Sequence, residues 1–335
     1  MATGDTDLTI AVTGPTGTFG FGLMPLLESD PRVARVIGIA RRPFDPSSQG
    51  WTKMRYRQGD VRDPSALERA FEDADVAVHL AFIVAGAASP ELTREINIGG
   101  TVNAFRAAAG AGAGRFVYAS SVAAYGFHDD NPIGMTEEWP ARPATHLAYA
   151  QEKAELERLL TAEAERHPSV ALYVLRPPIV LGPHTMGAKE FVPAPLANVA
   201  GRIAGMVRRV PLSLPVPVPS LPMQFVHETD VAQALLLCIV GAGPPGAYNV
   251  SGDGVVTAAD LAHEVGLTPI AVPARLAQPV ARAVASVPTL PWVGPLTKWA
   301  EASSHPAIMD TSKAKRELGW KPEFTSLEAW RDTVR

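Results

Sequence analysis

The sequence contains one cysteine, no long apolar run and no excess of basic residues, and each shortage excludes a class of protein. Cys238 alone cannot make a disulfide framework or a metal cluster, and its apolar neighbours indicate a core residue rather than a reactive thiol. No apolar run reaches the roughly 18 residues of a membrane span, and the N-terminus lacks the charged-then-apolar pattern of a signal peptide. We therefore expect a cytoplasmic protein with no membrane partner and no bound metal.

Composition favours an ordinary enzyme with a small-molecule substrate. The formal net charge of −4 provides no basic footprint for nucleic acid. The 335 residues, 47% of them hydrophobic, exceed one average domain and suffice to bury a sizeable core. This length suits a nucleotide-binding core with a smaller lobe.

The N-terminal segment combines a short β-branched run, a glycine-rich turn and an apolar helix face. In this context Gly14 permits the tight turn, Gly17 lets the backbone approach a pyrophosphate, and Gly20 allows close helix–strand packing. The helix N-terminus then presents N–H groups and the positive end of its dipole to the phosphates. The predicted cofactor contacts in this turn are Gly14, Thr16, Gly17, Thr18, Phe19 and Gly20.

Strand-like and helix-like segments alternate through the first half of the chain. The strand-like runs are residues 36–40, 76–81, 115–120 and 170–175, and the helical stretches are residues 65–71, 91–109 and 147–166. Such alternation favours a parallel sheet that is covered on both faces. Ligands of such sheets bind at the carboxyl ends of the strands.

The character of the sequence changes after about Pro178. Proline becomes dense, notably between residues 211 and 219, as is typical of rigid extended segments in a small lobe. We predict an α/β fold of Rossmann type, a doubly wound parallel sheet with a smaller C-terminal substrate-binding lobe. The predicted boundaries are 1–178 for the dinucleotide-binding domain, with 223–250 returning to it, and 179–222 with 251–335 for the lobe.

Tyr149 and Lys153 lie four residues apart on a predicted helix, so they share one face, one turn apart. A free tyrosine with a pKa near ~10 is a poor acid–base catalyst at neutral pH. A neighbouring ammonium favours the phenolate and can bring the tyrosine pKa towards the working pH. The pair predicts a catalytic site, although this spacing alone also arises by chance.

A series of motifs runs along nearly the whole chain. The motifs are Thr13 to Gly20, Gly59-Asp60-Val61, Asn97 to Thr101, Ser120 to Gly126, Tyr149 to Lys153, Leu175-Arg176-Pro177, Phe225-Val226-His227, Asp230-Val231-Ala232 and Glu317 to Pro322. Jointly they are highly specific, and with them the chain resembles an extended short-chain dehydrogenase/reductase. That group is often labelled NAD-dependent epimerase/dehydratase.

The resemblance implies a role for each matching catalytic position. Tyr149 would exchange a proton with a carbonyl or alcohol oxygen. Lys153 would hold the nicotinamide ribose and lower the tyrosine pKa. Ser121 would hydrogen-bond the substrate oxygen, with Ser120 as the less favoured serine. This arrangement implies hydride transfer at C4 of nicotinamide, with the cofactor supplying the redox chemistry.

The resemblance also implies further cofactor contacts. Beyond the turn they are Asp60, Val61, Leu80, Ala81, Phe82, Asn97, Tyr149, Lys153 and Pro178. Within this set, Asp60 and Val61 would contact adenine. For Asn97, support of the catalytic group and a purely structural polar contact are equally weighted.

The end of the second predicted strand bears on the choice of cofactor. An NAD enzyme places an acidic residue there to bind the ribose 2′-hydroxyl. Here Ala40 occupies that place and Arg41 and Arg42 follow. A guanidinium suits a 2′-phosphate by charge and by bidentate geometry. We therefore predict NADP, with NAD as the alternative.

Departures from the family pattern narrow the chemistry. Val122 and Ala123 stand where related dehydratases carry acidic residues. Sugar-nucleotide epimerases carry an asparagine at the position of Ile179. They also carry an arginine just before the Phe225-Val226-His227 segment, where this chain has Met223 and Gln224. Without these groups the site lacks the expected contacts for a substrate diphosphate, which favours an uncharged, more apolar substrate.

Several residues are candidates for lining the substrate pocket, although core packing is at least as probable for each. They are Met186, Phe191, Val192, Leu221 and Met223, with His146 and His184 as candidate polar contacts.

The main hypothesis is an NADP(H)-dependent carbonyl reductase or alcohol dehydrogenase that uses Ser121, Tyr149 and Lys153 on an apolar, non-nucleotide substrate. One alternative is an NAD(P)-dependent sugar or nucleotide-sugar epimerase, and another is a non-catalytic nucleotide-sensing protein. The resemblance further implies a homodimer through the helices of residues 91–109 and 147–166.

Overall fold

The structure is a computed structural model that describes residues 7–84, 88–183, 185, 215–264, 266–272 and 305–334. The strands are β1 (Leu8–Thr13), β2 (Val33–Ala40), β3 (Met54–Gln58), β4 (Val76–His79), β5 (Arg115–Ala119), β6 (Ala171–Arg176), β7 (Ile179–Leu181), β8 (Pro215–Pro219), β9 (Pro222–Met223), β10 (Phe225–His227), β11 (Gly246–Asn249), β12 (Val256–Thr257) and β13 (Thr268–Val272).

The helices of the described residues lie mainly between the strands of the first half. They are α1 (Thr18–Ser29), α2 (Pro64–Phe71), α3 (Pro90–Arg94), α4 (Gly100–Gly110), α5 (Ala148–Arg166), α6 (Glu228–Ile239), α7 (Ala258–Glu264) and α8 (Ser326–Val334). Short 3₁₀ or π turns occupy Pro46–Gln49, Glu95–Gly99, Val122–Tyr125 and Ala314–Leu318. None of the helices in these described ranges is long and apolar enough to cross a bilayer.

Seven parallel strands form the central sheet in the order β11-β6-β5-β4-β1-β2-β3. The order reverses at β1, which pairs with β2 on one side and β4 on the other. A crevice forms at such a switch point, beyond the carboxyl ends of the strands. The predicted doubly wound Rossmann-type sheet is therefore confirmed.

The inner strands are buried throughout because both faces of the sheet are covered. Every residue of β1 and of β4 is buried, as expected of a parallel sheet between two helical layers. One layer contains α1 packed against α6, and the other contains α2 and α5 on either side of α4.

The chain returns to the sheet after the proline-rich region. β11 pairs with β6 at the edge of the sheet, and α6 packs on α1. Trp320 is also buried in the core on this side, and its indole Nε1 donates to the Asp230 carbonyl oxygen at 2.9 Å. The predicted boundaries assign Trp320 to the lobe, whereas its side chain packs against the nucleotide-binding core.

Candidate active site

The glycine turn follows β1 directly and is tight at two positions. Gly14 has a φ of +68°, and a Cβ there would lie 2.9 Å from the backbone of Ala81. A Cβ on Gly20 would lie 2.2 Å from the carbonyl oxygen of Pro15. The positive φ of Gly14 agrees with the tight turn that we predict there, and the lack of a Cβ also lets the loop after β4 approach. The close contact of Gly20 is with the turn itself rather than with the strand, which corrects our expectation of helix–strand packing.

Gly17 has a different environment. It precedes the first turn of α1 with an extended backbone, φ −90° and ψ 177°. Among the described residues, the nearest neighbour of a Cβ there would be the Gly14 carbonyl oxygen at 3.5 Å, an ordinary contact. Protein packing therefore does not require glycine at this position. A backbone that must come close to a ligand does require it, at a helix end suited to phosphate.

The adenosine end of the candidate site, which we define as Arg41, Arg42 and Asp60, is exposed or half-buried. The backbone there is held from β3, since Gln58 Nε2 donates to the Arg41 carbonyl at 2.9 Å and the Tyr56 hydroxyl donates to the Arg42 carbonyl. Both arginine side chains are exposed.

Asp60 and Val61 make contacts within the chain. Arg62 Nη2 lies 2.8 Å from Asp60 Oδ2, and the hydrogen bonds from Arg62 lower the pKa of that carboxyl. The Val61 side chain is buried against Gly100, where a Cβ would come within 2.4 Å of it. Little of the Val61 side chain is left for the adenine contact that we predict.

Asn97 lies in the π turn before α4 and uses its whole amide within the chain. Its Oδ1 accepts from Ile83 N at 2.8 Å, and its Nδ2 donates to Ile83 O at 2.9 Å and to Glu152 Oε2 at 2.7 Å. Glu152 precedes Lys153 on α5. Asn97 therefore ties the loop after β4 to the helix of the candidate catalytic residues. This geometry favours a structural contact that supports the site over a cofactor ligand.

The catalytic end of the site, which we define as Ser121, Tyr149 and Lys153, lies at the carboxyl end of β5 and on the first turns of α5. Burial raises the pKa of Tyr149, and a hydrogen bond with the Ser121 side chain opposes that rise. The neighbouring Ser120 is engaged elsewhere, because its hydroxyl donates to Glu157 Oε1. The structure thus brings Ser121, the favoured serine, to the tyrosine.

Lys153 is 4% exposed and its ammonium is held by groups on β5. Nζ donates to the Ala119 carbonyl at 2.7 Å and to the Tyr118 hydroxyl at 3.1 Å, and it lies 3.6 Å from the centroid of the Phe82 ring. Burial lowers the pKa of Lys153 to about 7, against the opposing charges of Glu157 and Glu152.

The sequence predicts that Lys153 lowers the pKa of Tyr149, whereas in the structure this pKa is raised. Nζ lies 5.8 Å from the centroid of the Tyr149 ring, and the pKa of Tyr149 is above its ordinary value because desolvation of the phenolate dominates. Burial outweighs any effect of Lys153 here, so our expectation that Lys153 brings this pKa down stays a prediction. The group that lowers it is Ser121.

A buried polar network behind the catalytic end was missed in the sequence. Arg176 on β6 forms an ion pair with Glu157, with Nη2 to Oε2 at 2.5 Å, and its Nη1 donates to the Tyr125 hydroxyl at 2.6 Å. The Tyr125 hydroxyl in turn donates to Asn249 Oδ1 at 2.8 Å. One signal was available, since Glu157 follows Lys153 by four residues and so shares its helix face.

Most of the side chains that depart from the family pattern are buried or hydrogen-bonded within the chain. Val122 and Ala123 are buried. The Gln224 amide pairs with the Met309 backbone, accepting from its N–H at 2.8 Å and donating to its carbonyl at 3.2 Å. Ile179, in contrast, is 58% exposed. Gln224 therefore links two backbone segments, and Ile179 presents an apolar side chain to the solvent.

The remaining predicted positions separate into three groups. Pro178 is buried just after β6. Leu221 and Met223 are half-buried and His146 is exposed. Met186, Phe191, Val192 and His184 lie outside the described residues. Within the described ranges, no group of three or more His, Cys, Asp or Glu side chains is arranged to hold a metal ion.

The fold and the site define a class of dinucleotide-binding enzymes. A doubly wound sheet holds a glycine turn at its switch point and a Ser-Tyr-Lys set beside it. Residues 10–251 match the model of the NAD dependent epimerase/dehydratase family. The chain belongs to this family.

The individual proteins that align with nearly the whole chain share about a quarter of its residues or fewer. The chain is 25% identical over 351 residues to a UDP-glucose 4-epimerase of Vibrio cholerae, covering 100% of this chain and 98% of that protein. It is 24% identical over 338 residues to an uncharacterized protein of Mycobacterium tuberculosis, covering 97% and 83%. The solved structure of a Thermus thermophilus UDP-glucose 4-epimerase in complex with NAD superposes with a TM-score of 0.69 at 22% identity, covering 98% of both chains.

Proposed function

We propose that the protein is an NAD(P)-dependent epimerase that removes a hydride from a carbinol carbon of a sugar or sugar-nucleotide substrate and returns it. The observation that carries this proposal is the hydrogen-bonded Ser121–Tyr149 pair with buried Lys153 beside it, at the carboxyl end of β5. Family membership and the full-length similarity to a UDP-glucose 4-epimerase support it. They favour it over the carbonyl reductase that we expected from the sequence.

The proposed division of labour follows from the geometry. A bound nicotinamide dinucleotide supplies a hydride acceptor and donor. Ser121 holds the substrate oxygen, and Tyr149 takes or gives the proton on that oxygen. Lys153 keeps its ammonium next to β5 through Ala119 and Tyr118, where it can bind the ribose hydroxyls.

A dehydratase activity has less support. Elimination requires an acid and a base next to the reacting carbons. Val122 and Ala123, the residues after Ser121, are apolar and buried. The site therefore suits oxidation and reduction of one carbinol better than loss of water.

A carbonyl reductase is the second candidate, and one specific observation favours it. Gln224 is held by the Met309 backbone and Ile179 is exposed and apolar, so neither offers a cation or an amide to a substrate diphosphate. This candidate fits a smaller, uncharged substrate. We also propose NADP as its cofactor because Arg41 and Arg42 follow β2.

Two measurements separate the candidates. The first is identification of any nucleotide retained by the purified protein, with titration of NADH and NADPH. The second is incubation with UDP-glucose, UDP-galactose and a panel of ketones. Sugar interconversion without net cofactor consumption supports the epimerase. Stoichiometric NADPH oxidation with a ketone would replace it with the reductase, and dinucleotide binding without turnover of any of these substrates would favour the non-catalytic nucleotide-sensing alternative.

We also propose the homodimer through the helices of residues 91–109 and 147–166. Sedimentation velocity at micromolar protein tests this assembly. A single monomeric species at that concentration would contradict it.

A further inference from the structure

His79 is a buried histidine at the end of β4 to which the proposed chemistry assigns no role. It is 1% exposed, and its ring stacks with Phe116 and Tyr118 at centroid distances of 6.3 and 6.4 Å. Both ring nitrogens have partners: Nδ1 lies 2.9 Å from Thr13 Oγ1, and Nε2 lies 3.0 Å from Thr101 Oγ1. The two threonines are fully buried as well.

The hydrogen bonds of Thr101 decide which ring nitrogen carries the proton. Thr101 Oγ1 lies 2.5 Å from the Asn97 carbonyl oxygen, a distance that requires a hydrogen between the two oxygens. The hydroxyl of Thr101 has only this one hydrogen. It must therefore accept from His79, and the proton of the imidazole sits on Nε2.

The Nδ1 side of the His79 ring has the opposite polarity. With Nε2 protonated, Nδ1 is an acceptor and the hydroxyl of Thr13 donates to it. The Thr13 oxygen keeps its lone pairs for the backbone N–H groups of Leu80 and Ala81, at 3.2 and 3.3 Å. Every donor in this chain of hydrogen bonds meets an acceptor, so one tautomer satisfies the whole arrangement.

The charged form of His79 does not fit this arrangement. A proton on Nδ1 would face the hydrogen of Thr13 and displace it from the ring. Burial lowers the pKa of His79 to about 3, and the positive charge of Lys153 acts in the same direction, while a hydrogen bond with the Ala81 backbone acts against them. The imidazole is therefore neutral throughout the physiological pH range.

The chain joins the three segments that surround the candidate cofactor site. Thr13 immediately precedes Gly14 of the glycine turn. Leu80 and Ala81 begin the loop after β4, and Ala81 packs against Gly14. On the other side, Thr101 binds the carbonyl of Asn97, whose side chain holds both Ile83 and Glu152.

We propose that His79, as the Nε2–H tautomer, is a positioning residue that holds the glycine turn, the loop after β4 and the start of α4 in register for dinucleotide binding. The inference rests on the dinucleotide site of the proposed function. It adds that the shape of this site depends on a histidine that acts on the cofactor site through its neighbours, among them Thr13 and Thr101.

The direct test is nitrogen NMR of the protein labelled with ¹⁵N-histidine, compared with His79→Gln to assign the signal. We expect the shifts of a neutral ring protonated on Nε2, unchanged from pH 8 to pH 5. A ring protonated on Nδ1, or one that titrates within this range, would overturn the inference. This readout needs no substrate or cofactor.

The binding test uses NADH and NADPH titrations of His79→Phe, which keeps the stacked ring and removes both nitrogens. Loss of two buried hydrogen bonds next to the turn should weaken binding of the better dinucleotide by about tenfold or more. His79→Gln, which retains a donor near the Nε2 position, should recover much of that loss. Equal affinity of wild type and His79→Phe would overturn the inference.

Two threonine variants keep the test decisive if His79→Phe fails to fold. Thr101→Val removes the acceptor of the Nε2 proton and should shift the Nε2 signal and weaken dinucleotide binding. Thr161→Val is the matched control, because Thr161 also donates to the carbonyl four residues earlier, at 2.8 Å, but lies further along α5. Equal behaviour of the two variants would overturn the inference. If wild type itself binds no dinucleotide, the proposed function fails, while the NMR result still decides the tautomer of His79.

Discussion

The catalytic end and the adenosine end of the candidate site are built in opposite ways. Lys153 and Ser121 are buried, and their polar atoms bind neighbouring strands and helices. Arg41 and Arg42 are exposed on a loop whose backbone accepts hydrogen bonds from β3. Buried charges interact strongly because little water screens them, whereas exposed charges are weakened by solvent and salt.

This contrast indicates different sensitivities to substitution. At the catalytic end the groups are pre-organised, so removing one leaves its buried partners unsatisfied. At the adenosine end a side chain can be replaced with little effect on the fold. We therefore expect the type of reaction to be tightly constrained and the choice between NAD and NADP to be easily changed.

The largest effect is expected for Tyr149→Phe. Loss of the acid–base group should lower kcat by about 10²- to 10⁴-fold, while the affinity for the dinucleotide changes little because the ring is retained. Steady-state kinetics with the substrate that the panel described above reveals, together with cofactor titration, measures both quantities. An active Tyr149→Phe enzyme would remove tyrosine from the proposed role.

The buried ion pair behind the catalytic end should come next. Glu157→Gln leaves the Arg176 guanidinium without its charged partner and should reduce the free energy of unfolding by about 3–5 kcal/mol. The more solvent-accessible pair of Asp60 and Arg62 is the matched control, for which Asp60→Asn should cost at most about 1 kcal/mol. Urea unfolding gives both values, and equal losses would contradict the contrast between the two ends.

The pH dependence of stability should report on Lys153. Its pKa is about 7 in the folded chain and the ordinary value is 10.5. The unfolded state therefore binds more protons between these pH values, so this group makes the free energy of unfolding rise with pH through that window. Urea unfolding of wild type and Lys153→Met from pH 6.5 to 9.5 should show wild type gaining stability relative to the variant. Parallel curves would argue against a depressed lysine pKa.

The smallest effect is expected at the adenosine end. Replacing both Arg41 and Arg42 by alanine should weaken NADPH by about tenfold, the loss of one charge-assisted contact in a solvated position. NADH, which lacks the 2′-phosphate, should be nearly unaffected, and stability should not change. Fluorescence titration measures both affinities, and an equal loss for the two cofactors would exclude the proposed phosphate contact.

Local sequence patterns were sufficient for the architecture and for part of the site. The glycine turn, the alternating strands and helices and the Tyr149–Lys153 spacing each depend on residues close together in the chain. The alternation of elements implied the parallel sheet, because parallel neighbours require helical crossovers. Family motifs also favoured Ser121 over Ser120, and the hydrogen bonding of Ser120 to Glu157 agrees with that choice.

Only the tertiary structure decided how the polar groups behind these motifs pair. Asn97 reaches Glu152 across 55 residues, and Tyr125 reaches Asn249 across 124. Sequence spacing carries no signal for such partners. The position of the ammonium of Lys153, the raised pKa of Tyr149 and the tautomer of His79 likewise depend on burial and on hydrogen-bond directions. These quantities exist only once distant segments exclude water together, whereas strand, turn and helix patterns are already present in the unfolded chain.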